Sequence, residues 1–210
     1  MLKTAKINIR NFFESALSKK DLTQQRSELL IRIAESIAKE YSINPTVNLN
    51  FICTHNSRRS QLGQAWSFFA AAYFNLNINA YSGGTEVTAF YRNTVKTLQK
   101  VGFLFQLVDF SHQNPKYQIS FDGANKTILG FSKLYDDPEN KNPFMAITTC
   151  DSADENCPFI PAATHRFHLP FVDPKHSDGS DKQEEIYLRT NKQIAGEIYF
   201  IFSNVKRIIS

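Results

Sequence analysis

At residue 53 the chain changes its hydrophobic period, and this change restricts what the surrounding segment can fold into. Val47, Leu49 and Phe51 alternate through the β-rich run Thr46–Ile52, which predicts a strand. Leu62, Ala65, Trp66, Phe69, Ala70 and Tyr73 then recur at helical spacing, so a helix begins near Arg59. Between the two lies Cys53-Thr54-His55-Asn56-Ser57-Arg58-Arg59-Ser60. A strand feeding a helix through so short a connection sets the connection at the helix N-terminus, where unpaired N–H groups and the helix dipole favour an anion.

That placement gives the loop its chemistry. Successive N–H groups of Thr54, His55, Asn56, Ser57, Arg58 and Arg59 form a nest suited to a tetrahedral oxyanion. The planar fork of Arg59 can hold two oxygens of such an anion. The same field favours thiolate over thiol, which makes Cys53 a candidate nucleophile. Ser60 is placed to donate a hydrogen bond to the sulfur, and Asn56 to brace the loop. Arg58 adds a second charge, which either serves the anion or lies solvated on the first helical turn.

Elsewhere the pattern alternates between strands and helices. Residues 1–44 read as a helical extension, with Leu30, Ile33, Ala34, Ile37, Ala38 and Tyr41 on one stripe and Asp21 as N-cap, ended by Asn44-Pro45. Residues 45–210 form the main domain. Strands are expected at Ile78–Tyr81, Leu104–Val108, Phe144–Thr148 and Arg166–Leu169, with a helix near 91–101 closed by Gly102. Two short β runs flanking Asp122-Gly123-Ala124-Asn125 read as an inserted hairpin at about 115–132. A C-terminal helix starts near Ser180 or Asp181, with Ser180 and Gln183 as a capping box and Tyr187, Ile194, Ile198, Ile201, Val205 and Ile208 as its stripe. Such alternation predicts an α/β fold with a mainly parallel sheet.

Composition narrows the function classes. Hydrophobic residues make up 42% and charged residues 21%, with 18 Phe, which fits a globular chain with a well-filled core. The net charge of +4 is dispersed, without a basic run interleaved with aromatics, so nucleic acid is not an expected partner. No apolar run is long enough to span a bilayer, and Met1-Leu2-Lys3-Thr4-Ala5-Lys6 leads into no apolar leader segment, so a cytoplasmic protein is expected. Its three cysteines are then reduced by default.

Cys150 and Cys157, with six residues between them in Thr149-Cys150-Asp151-Ser152-Ala153-Asp154-Glu155-Asn156-Cys157-Pro158, read by themselves as unrelated thiols or half a zinc site. Zinc is disfavoured, because its ligands usually lie closer together and no second pair exists, so no metal is expected. Asp173-Pro174 by itself reads as a turn.

Cys53 to Gln61 resembles the phosphate loop of the low-molecular-weight protein tyrosine phosphatases and of the thioredoxin-coupled arsenate reductases that share their fold. Tyr81-Ser82-Gly83-Gly84-Thr85-Glu86 and Asp173-Pro174 also match, and the resemblance covers roughly residues 46–205 with a gap at the hairpin. It implies a small central, mainly parallel four-stranded sheet flanked by helices. The Cys150–Cys157 segment closely resembles the redox segment of the reductases, including the Pro after the second cysteine.

That likeness implies reduction of arsenate to arsenite through a Cys53–Cys150–Cys157 relay, regenerated by thioredoxin and needing no bound cofactor. It also implies that Asp173 is the general acid. The alternative is hydrolysis of phosphomonoesters through a phosphocysteine at Cys53. There are departures from the family pattern. His55 stands where the family usually has Gly. Lys175-His176 follow Asp-Pro where the phosphatases usually carry aromatics. Gln64 replaces a Glu that helps hold potassium in some reductases, which argues against a monovalent cation here.

Overall fold

The computed structural model describes residues 8–17, 22–156 and 159–210. Its central sheet is built from β1 (Val47–Cys53), β2 (Ile78–Gly84), β6 (Phe144–Thr148) and β7 (Ala163–His168), all parallel, in the order β2-β1-β6-β7. Parallel neighbours need crossovers, and α3 (Arg59–Tyr73) supplies the one from β1 to β2. β1 and β6 are buried almost throughout, as expected for strands covered on both faces.

Gly63 sets the closeness of α3 to the sheet. A Cβ there would stand 2.5 Å from the Phe51 ring, so a side chain at this position would lift the helix off β1.

The long C-terminal helix α6 (Gln183–Ile209) packs against α1 (Ile9–Glu14), α2 (Gln24–Ile43), α3 and α4 (Arg92–Lys100). The N-terminal helices therefore share the main core. Phe13 of α1 is fully buried, stacked on Trp66 at 5.5 Å and edge-on to Phe69 and Tyr199. The Trp66 indole donates to Asn191 of α6 at 2.7 Å, which satisfies its only polar atom. Arg26 of α2 forms a fork on the buried Glu197 of α6, with contacts of 2.8–3.2 Å.

Several expectations need correction. Asp21 lies outside the described residues, and the side chain of Thr23 caps α2 by accepting from the Arg26 N–H. α6 begins at Gln183, and the Gln183 carboxamide accepts from the Gly179 N–H, so Ser180 and Gln183 form no capping box. Ile208, assigned to the buried stripe, is 46% exposed. β3 (Phe103–Asp109) does not join the central sheet. It pairs antiparallel with β4 (Lys116–Phe121), which pairs with β5 (Ile128–Gly130), so the expected hairpin is two thirds of a second, three-stranded sheet. β3 is mostly exposed, and strand periodicity does not specify the partner a strand will take.

Candidate active site

All four parallel strands deliver their carboxyl ends to one rim, where open α/β sheets bind ligands. Cys53 ends β1, Gly84 ends β2, Cys150 follows β6, and Asp173 follows β7. Thr149 ties the β6 end to β1, its N–H and hydroxyl both donating to the Ile52 carbonyl at 2.7 and 3.0 Å.

The loop from Thr54 to Arg58 is held by its carbonyls. Thr54 C=O accepts from the Glu86 N–H at 2.8 Å and from Thr85 Oγ1. His55 C=O accepts from Ser132 Oγ at 2.8 Å and Thr88 Oγ1 at 3.1 Å. Asn56 C=O accepts from Gln61 Nε2 at 3.0 Å, and Ser57 C=O from the Tyr91 N–H at 3.1 Å. A peptide's N–H points opposite to its C=O, so four carbonyls anchored outward turn the N–H groups of His55, Asn56, Ser57 and Arg58 inward. None of those N–H groups finds an acceptor among the described residues. Arg58, at the N-cap of α3, makes no side-chain capping bond, so the helix terminus also keeps its donors free.

Asn56 is the brace. It takes a left-handed conformation, φ 46°, which Asn tolerates better than most residues. Its Oδ1 accepts from the Lys133 N–H and from Gln61 Nε2, which fixes the amide orientation and leaves Nδ2 to donate to Ser60 Oγ at 2.8 Å. With that lone pair occupied, the Ser60 hydroxyl is free to donate to Cys53 Sγ at 3.0 Å.

Gly84 lies directly behind this loop. A Cβ there would meet Thr54 O at 2.7 Å and Asn56 N at 2.9 Å, both backbone atoms that cannot swing aside. Gly84→Ala should therefore displace the nest. Loss of one aligned N–H contact to an anion corresponds to about tenfold weaker binding. Protection of Cys53 from iodoacetamide by inorganic phosphate measures it, and unchanged protection would refute this account of the loop.

Arg59 is 13% exposed and faces the site. Its Nη2 donates to Asp173 Oδ2 at 2.6 Å and its Nη1 to the Phe171 carbonyl at 3.0 Å. Its buried Nε has no partner among the described residues, a donor left for an oxyanion. Asp173 also caps the 3-10 turn Pro174–Ser177, accepting from the Lys175 N–H at 3.0 Å.

Arg58 belongs to neither class the sequence offered. Its guanidinium lies 4.0 Å over the Tyr91 ring, and donates to Tyr187 Oη and Asp178 Oδ2, both at 2.7 Å. Burial holds the Tyr187 hydroxyl well above its ordinary pKa, so it stays a donor to Asp178 at 2.8 Å. The Arg58 side chain thus pins the loop to α6 and is turned away from the anion. A turn aspartate and two distant tyrosines give no local signal of this. His55 does not fill the loop either: its imidazole is 42% exposed, 3.4 Å from Glu86. Gln64 is buried, accepting from Ser82 Oγ at 2.6 Å and donating to the Leu129 carbonyl at 3.2 Å.

Cys150 comes to the same loop. Its sulfur is 3.5 Å from Thr54 Oγ1, and it shares a small buried cluster with Ile52, Cys53, Phe144, Ala146, Ala153 and Ile160. Cys53 and Cys150 are each 4% exposed, and both are free thiols. Cys157 lies outside the described residues. Between the two cysteines runs a short helix, α5 (Asp151–Asn156). His168 reaches Asp151 at 3.0 Å, and Asp154 at 3.4 Å, and Asp154 also binds Arg166 and Thr148.

No family model matches the chain. Among curated proteins, arsenate reductase of Bacillus licheniformis is 27% identical over 147 residues, 70% of this chain and 88% of that one. Arsenate reductase 1 of Staphylococcus epidermidis is 31% identical over 133 residues, 63% of this chain and 82% of that one. The chain belongs to the arsenate reductase family. Among solved structures, a low molecular weight protein tyrosine phosphatase from T. tengcongensis superposes with a TM-score of 0.53 at 16% identity, covering 75% of this chain and 98% of that one. This arsenate reductase family member therefore has the low-molecular-weight phosphatase fold.

Proposed function

We propose that the protein reduces arsenate to arsenite by a thiol relay, with thioredoxin as the external dithiol. The observation that carries this reading is Cys150. A second buried thiol sits against the anion loop, where hydrolysis of a phosphomonoester would need none.

The steps follow from the placements. Arsenate enters the nest, bound by the inward N–H groups and Arg59. Cys53 thiolate attacks arsenic and a hydroxyl departs as water, its proton supplied by Asp173 once substrate oxygens take over the Arg59 fork. Cys150 thiolate then attacks Cys53 sulfur. The S–S bond forms, the S–As pair stays on arsenic, As(V) becomes As(III), and arsenite leaves. Cys157 attacks Cys150 and frees Cys53, and thioredoxin reduces the Cys150–Cys157 disulfide.

The relay asks Cys150 to reach Cys53 first and Cys157 afterwards, so the segment that opens with α5 moves, loosening the contacts of His168 and Arg166 with Asp151 and Asp154. A relay of reduced thiols served by an external dithiol belongs in a reducing compartment, and the cytoplasm is the compartment proposed for it.

Phosphomonoester hydrolysis at Cys53 is the second reading, favoured by the loop alone. Cys157→Ser separates the two. The relay predicts one arsenite per chain, no further turnover with thioredoxin, and undiminished hydrolysis of a small aryl phosphate. Wild-type multiple-turnover reduction by this variant would overturn it.

A further inference from the structure

A cavity of about 690 Å³ lies away from the thiols, between the free edge of β2 and the free edge of β5. β2 is the terminal strand of the central sheet and β5 the terminal strand of the second sheet. Along β2, Asn77 bonds β1, so Ile78, Ala80, Ser82 and Gly84 direct their backbone groups the other way. At the far end these groups are used: Gly84 pairs with Lys133 and Tyr135, and Ser82 C=O accepts from Asn140. The C=O of Ile78 and the N–H and C=O of Ala80 find no partner among the described residues, although Ala80 is 3% exposed. Buried main-chain groups left open are rare and costly. Gln64 bridges the two edges through Ser82 and Leu129, so at this end the gap is only one amide group across.

The cavity also holds a charge. Lys133 lines it, is 2% exposed, and has no carboxylate within ion-pair distance among the described residues, its ammonium resting 4.7 Å over the Phe131 ring. Burial pushes this ammonium down to about 8 against the partial help of Asp137 and Glu139. Lys126 and Lys141 line the same cavity, opposed by Glu139 alone, so its lining is net positive.

We propose that this groove binds an extended peptide segment of a partner protein, added as a strand along β2, with a carboxylate of that segment set on Lys133. Two open sheet edges ask for main-chain partners, and an unpaired buried ammonium asks for an acid. About five residues would cover the edge from Ile78 to Ser82. The Lys133 main chain braces the anion loop while its side chain lines the groove, and the test reads peptide binding without depending on the chemistry proposed at the loop.

The probes are two pools of hexapeptides, randomised at five positions and carrying Glu at the sixth in one pool and Gln in the other. They are passed over the immobilised full chain. The Glu pool should be retained about tenfold better, the worth of one charge-assisted contact. Lys133→Met should remove that preference. Ala80→Pro deletes the groove-facing N–H without touching the β1 ladder, and should release both pools. Thermal melting checks that each variant is folded, and if Ala80→Pro is not, Lys133→Met alone decides. Bound peptide should slow hydrogen exchange at the Ala80 amide. Retention of neither pool, equal retention of both, or displacement by inorganic phosphate without Ala80 protection would each overturn the proposal, the last leaving a small-anion site.

Discussion

Cys53→Ser should abolish both arsenite formation and aryl phosphate hydrolysis, leaving neither reaction above background. The fold should survive, because the change exchanges sulfur for the smaller oxygen at a position where Ser60 Oγ, 3.0 Å from the sulfur, already offers a hydrogen-bond partner. A neutral hydroxyl in this field lacks the thiolate's nucleophilicity, and among the described residues no basic side chain bonds the position 53 side chain. Anion affinity should persist, because the nest and Arg59 are unchanged, and phosphate-induced stabilisation in a thermal melt measures it. Residual turnover within about a hundredfold of wild type would show that the nucleophile lies elsewhere.

Under the proposed relay, Cys150→Ser should stop reduction one step earlier than Cys157→Ser does. Without the second thiol nothing attacks the Cys53 sulfur, so not even one arsenite per chain is released. Aryl phosphate hydrolysis, which uses water at that step, continues. The burst of arsenite after mixing with a single equivalent of arsenate distinguishes the variants: about one per chain for Cys157→Ser and none for Cys150→Ser. A full burst from Cys150→Ser would remove Cys150 from the pathway and leave Cys157 as the attacking thiol.

The core of the site was legible because its chemistry is local. Strand period, cysteine loop and helix period follow one another within 27 residues, Val47 to Tyr73, and the loop geometry comes from that order. The α/β class followed from the same alternation, and the described strands lie within a few residues of the expected ones. What could not be read depends on contacts across the chain. The brace from Lys133 to Asn56 joins residues 77 positions apart, and Arg58 meets Tyr187 across 129. β3 was expected as a strand but not placed in the second sheet, because its side chains are half exposed and its register is chosen by β4. The short helix that follows Cys150 was not read from the sequence. Its six residues carry no apolar stripe, and its contacts come from Thr148 on β6 and from Arg166 and His168 on β7.

The outward anchoring of the loop carbonyls has a consequence for folding thermodynamics. Their holders come from separate stretches of chain: residues 85–88 after β2, Tyr91 at α4, and Ser132 past the second sheet. No fragment shorter than this span can assemble the nest, so anion affinity belongs to the native state alone. By linkage, a bound oxyanion then stabilises the whole molecule by RT ln(1 + [L]/Kd), a term shared by every element that holds a carbonyl. A cell rich in phosphate would keep this protein folded with the same anion that competes for its active site.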